Sequence, residues 1–249
     1  MAILAFLIFL AWGSYLNSLG YRLLNLEHFL KARSFCPSCK NMIFWYDNIP
    51  VYSWIQLKGR CRFCKNKISW LYPFIELISV GFLLSLWITV PLQYFPAYFI
   101  FFSALIITIR TDFDEMLISR FVTLYLIPFG LVAAIVHRLP LTPALSVVGS
   151  IFGYCILWTA KKISFQIKKQ DGLGQGDLEL LAFIGAFTGP FGCWVTLLIG
   201  SVVGSFASLI YMAITRQRIT IIPFGPFLAL GAMLFVLFQK FFFQYFFAI

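Results

Sequence analysis

Four of the six cysteines stand in two C-x2-C pairs within one polar stretch of the chain. Cys36 and Cys39 form the first pair, Cys61 and Cys64 form the second, and 21 residues lie between the pairs. Two tight turns of this kind can present four thiolates to one ion, and a closed set of four cysteines is typical of structural Zn2+. The spacing therefore predicts a structural zinc site, in preference to four free surface thiols.

Acidic residues are few, and five of the nine are grouped at the ends of two apolar segments. Three follow one segment and two begin another, just after Gly174-Gln-Gly176: Asp112, Asp114, Glu115, Asp177 and Glu179. A carboxylate in or beside lipid is costly and often marks a functional site. Two carboxylates brought together can share a proton, so that one activates water while the other protonates a carbonyl or leaving group.

The residues alone leave another interpretation of these acids open. Each could instead be an interfacial acid paired with Arg110, Arg120 or Lys169. No other catalytic pattern competes, because the two histidines stand apart and the chain has no Walker or dinucleotide-binding glycine motif. Glu76 is either a salt-bridge partner for the basic loop or part of a second site, and the sequence does not decide between them.

The composition indicates an integral membrane protein. Of 249 residues, 61% are hydrophobic and 11% charged, whereas about a quarter of the residues of soluble domains are charged. A crossing helix takes about 20 residues. We predict an all-α protein with about eight crossings, at residues 2–20, 74–91, 94–109, 121–137, 144–160, 178–189, 192–214 and 225–248.

The basic residues predict an orientation for these crossings. Of the 19 Lys and Arg, all but Arg138 and Lys240 fall on one side of the predicted topology. By the positive-inside rule that side is the cytoplasm, with both termini outside and the first segment retained. The basic charge therefore indicates cytoplasmic loops at the membrane and not a nucleic-acid partner. In the cytoplasm a disulfide would be reduced, which also favours zinc at the four cysteines.

Several segments in order resemble the type IV prepilin peptidase family, whose members cut the leader of prepilins and pseudopilins and N-methylate the new amino terminus. Gly13–Asn17 with Tyr21–Leu23 resembles the first span of the family. Further similar segments are Ala32–Cys39, Asn48–Trp54, Lys58–Cys64 and Tyr72–Leu77 in the zinc loop, then Asp112–Ile118, the G-x-G-D motif Gly174–Asp177, and Ile222–Pro226.

The resemblance implies roles for individual residues and for cofactors. Asp112 and Asp177 take the place of the two catalytic aspartates, with Gly174, Gly176 and Asp114 in supporting positions. Zn2+ would be structural and S-adenosylmethionine would be the methyl donor, at a site that the sequence does not locate. The implied domains are 1–22, a first membrane helix; 23–73, the zinc-binding cytoplasmic loop associated with methyl transfer; and 74–249, the membrane peptidase.

Two positions depart from the family pattern. Ser119-Arg120 stands where the family usually has Pro-Asp or Pro-Asn, so the next span must begin without a proline. Glu179 stands where the family usually has lysine, which adds negative charge near the aspartates. We expect a local change at the first position and an altered pH optimum from the second.

The expected function is that of an inner-membrane aspartic endopeptidase. It would cut type IV prepilins or pseudopilins after a glycine on the cytoplasmic side and methylate the new amino terminus. One alternative is a proton-coupled membrane transporter whose acids relay protons. Another is a non-catalytic assembly factor that docks partners through its zinc loop. The sequence does not indicate which prepilin is cut, or the oligomeric state.

Overall fold

The computed structural model describes residues 2–24, 34–169, 174–216 and 222–247. These ranges fold into helices and contain no strand, only two isolated β-bridges. In chain order the helices are α1 (Ala2–Leu24), α2 (Tyr52–Gln56), α3 (Leu71–Thr89), α4 (Phe95–Glu115), α5 (Ile127–Ile135), α6 (Pro143–Lys168), α7 (Gln175–Thr215), α8 (Gly225–Leu237) and α9 (Gln239–Phe247). The all-helical prediction is confirmed.

The predicted apolar runs fall on helices, as expected where backbone groups must bond within their own segment in lipid. Two runs differ from a single continuous helix, because 225–248 is divided between α8 and α9 and only Ile127–Ile135 of 121–137 is α-helical. By length and hydropathy, five described helices could each cross a membrane: α1, α3, α4, α6 and α7. A sixth span arises if α8 and α9, which are bent by 79° at their junction, count as one. The protein is thus a multi-pass membrane protein, and eight crossings stay a prediction.

Helix α7 contains a break at Gly189, where the backbone leaves helical geometry with φ 73° and ψ −178° and Pro190 follows. Cys193 Sγ donates to the carbonyl of Leu181 at 3.6 Å. Twelve residues along a straight helix span about 18 Å, so this contact requires the chain to reverse direction at Gly189. The two arms of α7 therefore agree with the separate apolar runs 178–189 and 192–214.

The chain divides into two compact units, Met1–Ile88 and Thr89–Ile249. In the first unit, α1 packs closely on α3, because a Cβ at Gly13 would lie 2.7 Å from Ser79 Cβ. Glu76 of α3 is buried and accepts a 2.7 Å hydrogen bond from the Val51 N–H. Val51 has φ 60°, in a tight three-residue turn closed by Tyr52 N–H on Pro50. Glu76 thus fastens a strained turn of the cysteine loop to the helix.

The second unit is built around aromatic and glycine contacts. Phe101 of α4 stacks on Phe187 of α7 at 4.6 Å between ring centroids, and both rings are fully buried. Helices α6 and α7 approach so closely that a Cβ at Gly149 would overlap the Gly185 carbonyl oxygen. Small residues permit such approach between membrane helices. This packing places in one unit the end of α4 and the start of α7, which the sequence predicts to lie on the cytoplasmic side.

Candidate active site and metal centre

Each C-x2-C pair forms a small knuckle with the same backbone pattern. In the first, the Lys40 N–H donates to the Cys36 carbonyl at 2.8 Å, and in the second the Lys65 N–H donates to the Cys61 carbonyl at 3.0 Å. Both lysines adopt a left-handed φ, 58° and 61°. The two isolated bridges, Phe35 with Met42 and Arg60 with Lys67, close the knuckles. The repeated geometry directs all four sulfurs to one point.

The four sulfurs fit a tetrahedral metal ion. The Sγ atoms of the four cysteines all lie within 4.8 Å of one another, and Cys36 Sγ and Cys64 Sγ are 3.8 Å apart. Zn–S bonds of about 2.3 Å in a tetrahedron place sulfurs about 3.8 Å apart. The spacing prediction that these cysteines form one potential metal site is confirmed.

The thiols of the cluster have different pKa values. Burial raises the pKa of Cys36, but hydrogen bonds from the Cys39 and Ser38 backbones and from neighbouring thiols outweigh it and hold this pKa at about 7. The pKa of Cys64 rises to about 11, because burial and the other thiols outweigh a backbone hydrogen bond from Asn66. A divalent cation would therefore displace thiol protons on binding, which makes metal affinity fall with acidity.

A bidentate ion pair braces the second knuckle. Arg62 Nε and Nη2 each lie 2.7 Å from a carboxylate oxygen of Asp47, and the guanidinium sits over the Tyr46 ring at 5.5 Å from its centroid. Trp54 Nε1 donates to the Ile68 carbonyl at 3.2 Å and fills the space above Gly59. Trp54 therefore packs within the loop, while Trp45 and Trp70 are exposed.

Asp112 lies in the last turn of α4 and is buried. The helix ends at Met116, a left-handed residue whose N–H donates to the Asp112 carbonyl at 3.1 Å. The Asp112 carboxylate Oδ2 accepts a 3.0 Å hydrogen bond from the Gly225 N–H at the start of α8. The segment Ile222–Pro226, which the sequence singled out without a role, thus supplies a backbone donor to this carboxylate.

Asp177 lies in the first turn of α7, and its buried carboxylate turns back toward the residue that precedes the helix. Gly174 is that residue, at the position that precedes the first turn. A Cβ at Gly174 would lie 3.2 Å from Asp177 Oδ2. The missing side chain at Gly174 therefore leaves room for the carboxylate.

Ile118 packs between the surroundings of the two carboxylates. A Cβ at Gly176 would lie 2.9 Å from Ile118 Cβ, and one at Gly225 would lie 3.0 Å from Ile118 Cδ1 and 2.7 Å from Asp112 Oδ2. The charge of Asp112 acts on Asp177 electrostatically. The structure therefore brings Asp112 and Asp177 together, with Gly174 and Gly176 beside them, and in the described ranges neither aspartate forms an ion pair with a cation.

Asp114 is directed elsewhere. It pairs with the buried Arg110 one turn earlier on α4, and residues two apart on a helix project about 200° apart. Asp112 and Asp114 therefore face different sides of α4. The alternative of interfacial ion pairing, left open for all five acids by the sequence, describes Asp114 and does not describe Asp112.

The alternative of ion pairing also describes Glu179, although the sequence did not say which basic residue is its partner. Arg120 Nε lies 3.2 Å from Glu179 Oε1, and the Glu179 side chain is only 8% exposed. The two departures from the family pattern, noted separately in the sequence, are thus in contact.

Comparison with known proteins agrees with this division of the chain. Residues 7–90 match the bacterial peptidase A24 N-terminal domain, and residues 99–209 match the type IV leader peptidase family. A type 4 prepilin-like proteins leader peptide-processing enzyme of Escherichia coli O78:H11 is 36% identical over 84% of this chain and 77% of its own length. The chain belongs to the type IV leader peptidase family.

Two further relatives carry the name prepilin leader peptidase/N-methyltransferase. The protein from Xanthomonas campestris pv. campestris is 36% identical over 78% of this chain and 68% of its own length. The one from Legionella pneumophila is 34% identical over 81% and 71%. No solved structure matches the chain. The resemblance deduced from the motifs is therefore confirmed as family membership.

Proposed function

We propose that the protein is a membrane aspartic endopeptidase that removes the leader of type IV prepilins or pseudopilins, cutting after glycine on the cytoplasmic side. The observation that carries this proposal is the pair of buried carboxylates, Asp112 and Asp177, brought to one place by the ends of α4 and α7. The names of the relatives supply the substrate class. The asymmetry of basic residues supports the cytoplasmic side.

The reaction needs one proton shared between the two carboxylates. The ionised aspartate accepts a proton from water as the water oxygen attacks the scissile carbonyl carbon, and the protonated one donates to the carbonyl oxygen. The tetrahedral intermediate then collapses: one of its hydroxyl groups returns a proton to the ionised aspartate as the carbonyl re-forms, the C–N bond breaks, and the departing amine takes up a proton from the protonated aspartate. Water is consumed, and the dyad ends with the same proton count as at the start.

Backbone groups surround both carboxylates for this step. The Gly225 N–H donates to Asp112, and Gly174 lies against the Asp177 carboxylate. Because neither of these neighbours is a charged side chain, the carboxylates are positioned without a cation that would keep both of them ionised. This arrangement supports a shared proton better than an ion-paired acid such as Asp114 would.

The four-cysteine site is proposed to bind Zn2+ as a structural ion. Cys36, Cys39, Cys61 and Cys64 would hold it, and four protein ligands leave no open position for substrate. The ion would supply folding free energy to a loop that has little apolar core of its own. It takes no part in peptide hydrolysis.

N-methylation of the new amino terminus, with S-adenosylmethionine as donor, is proposed from the names of the relatives. The donor supplies an electrophilic methyl group when bound. A cavity of about 340 Å³ beside Cys61 does not fit it, because Lys58, Arg60 and Lys65 line the cavity and three cations repel a sulfonium. No residue of the chain is therefore assigned to the donor.

The experiment that tests the function is cleavage of a prepilin-like substrate by the purified protein in lipid, with mass spectrometry of the products. We expect loss of the leader at the bond after glycine, and a gain of one methyl group on the new amino terminus when S-adenosylmethionine is present. A substrate with the glycine replaced by a bulky residue is the control. Absence of cleavage with several leaders would contradict the proposal and favour the transporter or assembly alternatives.

A further inference from the structure

The segment that follows α4 touches the acid site at two points. Ile118 packs against Gly176, which directly precedes Asp177 in the chain, and against Gly225, which lies against Asp112. Two residues later, Arg120 pairs with Glu179 in the second turn of α7. The segment between α4 and α5 thus crosses from the helix end that carries one aspartate to the helix start that carries the other.

The Arg120–Glu179 pair is asymmetric in its exposure. The arginine side chain is 65% exposed, whereas the glutamate side chain is 8% exposed. An exposed ion pair contributes little to stability by itself. Removing the arginine, however, would leave a buried carboxylate without its partner, which is costly. In the described part of the chain, no other cation forms an ion pair with Glu179.

The charge of Glu179 has a second consequence for the site. It lies two residues beyond Asp177, and an unpaired negative charge there would add to the repulsion between the aspartates. Arg120 provides the opposite charge at 3.2 Å. The pair therefore both anchors the segment and offsets the charge that Glu179 brings.

We propose that Arg120 is a positioning residue for proteolysis, which acts through Glu179 and not on the substrate. Its ion pair holds the segment after α4 against the start of α7, and so fixes Asp112 and Asp177 in the arrangement that water activation requires. The inference rests on the proposed peptidase function. It assigns a joint role to two residues that separately depart from the family pattern.

Charge reversal tests the proposal. In the assay above, Arg120→Glu and Glu179→Arg are each expected to lower kcat by about tenfold or more with KM within about twofold, because a small misplacement of catalytic groups affects the chemical step first. The double reversal, Arg120→Glu with Glu179→Arg, is expected to regain kcat to within about threefold of the wild type, because it restores opposite charges. Arg120→Lys is expected to keep most of the activity.

The matched control is Arg138→Glu, which reverses an exposed arginine on a different loop and is expected to leave kcat unchanged. All rates are measured on monodisperse protein. If Arg120→Glu gives no monodisperse protein, Arg120→Gln and Arg120→Lys replace this variant. A wild-type kcat in Arg120→Glu or Arg120→Gln would overturn this inference and would leave the proposed function unaffected. A double reversal no better than the worse single variant would also overturn it. An inactive wild type would overturn the proposed function and this inference with it.

Discussion

The cysteine cluster and the acid site are assembled in different ways. Each cysteine pair lies within one knuckle closed by hydrogen bonds between residues four to nine positions apart, so only one tertiary step brings the two knuckles together. The acid site joins the end of α4, the start of α7 and the start of α8, and the hydrogen bond from Gly225 to Asp112 spans 113 residues. The first site depends on local turns and an ion, whereas the second depends on helix packing.

This difference predicts how each site responds to substitution. Loss of one ligand in the cysteine cluster removes a metal ion and the folding free energy that depends on it. Loss of one contact in the acid site alters geometry and charge while the helices remain packed. Metal content and catalytic rate should therefore respond to different sets of variants.

The largest effect is expected at the aspartates. Asp112→Asn and Asp177→Asn should each lower the rate of leader cleavage by about 10³-fold or more, because the shared proton is lost while the shape is kept. Measured metal content should stay at the wild-type value. Glu115→Gln, an exposed acid on the same helix as Asp112, is the control and should cleave normally. Strong cleavage by either Asn variant would show that the substituted aspartate is not catalytic.

The next effect concerns the metal. Cys36→Ser should bring bound zinc from about one ion per chain to near zero and make the loop 34–70 susceptible to limited proteolysis, because structural zinc supplies roughly 10 kcal/mol or more to small domains. Metal analysis and a protease time course measure this. Cys155→Ser, an exposed cysteine outside the cluster, should retain the ion. Full zinc content in Cys36→Ser would disprove the four-cysteine site.

A smaller effect is expected from crowding the acid site. The Cβ in Gly225→Ala would lie 2.7 Å from Asp112 Oδ2, so the carboxylate must shift and kcat should fall by about ten- to a hundredfold. Gly81→Ala is the matched control, since nothing lies within 4 Å of its added Cβ. Equal rates for the two alanine variants would show that the Gly225 contact does not position Asp112.

The smallest effect should come from the brace of the second knuckle. Arg62→Ala removes the bidentate pair with Asp47, in which the arginine is 42% exposed and the aspartate 4% exposed, and so leaves that carboxylate without its partner. The midpoint of thermal unfolding of the zinc-loaded protein should fall, while the zinc is retained and leader cleavage is unchanged. Release of the ion by Arg62→Ala would mean that the knuckle is not held by its backbone and the metal alone.

The same difference between local and long-range contacts decides what the sequence could predict. The C-x2-C spacing predicted the cysteine cluster because its geometry is local. Apolar runs predicted the helices, and the separate runs 178–189 and 192–214 agree with the break in α7 at Gly189. Asp112 and Asp177 were identified by motif order, but their surroundings were not, because Gly225 and Ile118 reach them only through tertiary packing.

Long-range charge pairing was the part that the sequence could not resolve. Arg110 and Arg120 were both candidate partners for every nearby acid, and the sequence interpretation left their assignment open. In the structure Arg110 pairs with Asp114 at i,i+4 on one helix, and Arg120 pairs with Glu179 of a different segment. Only the first of these follows from helical periodicity.

The central claim, that Asp112 and Asp177 act as one catalytic pair, is tested most directly by a double-mutant cycle. Single-turnover cleavage of a prepilin-like substrate would be measured for Asp112→Asn, Asp177→Asn and the double variant. Groups that act as a unit are strongly non-additive, so we predict that the double variant is no slower than the slower single variant, within about threefold. Losses that multiply, or a single variant that keeps most of the wild-type rate, would contradict the pair.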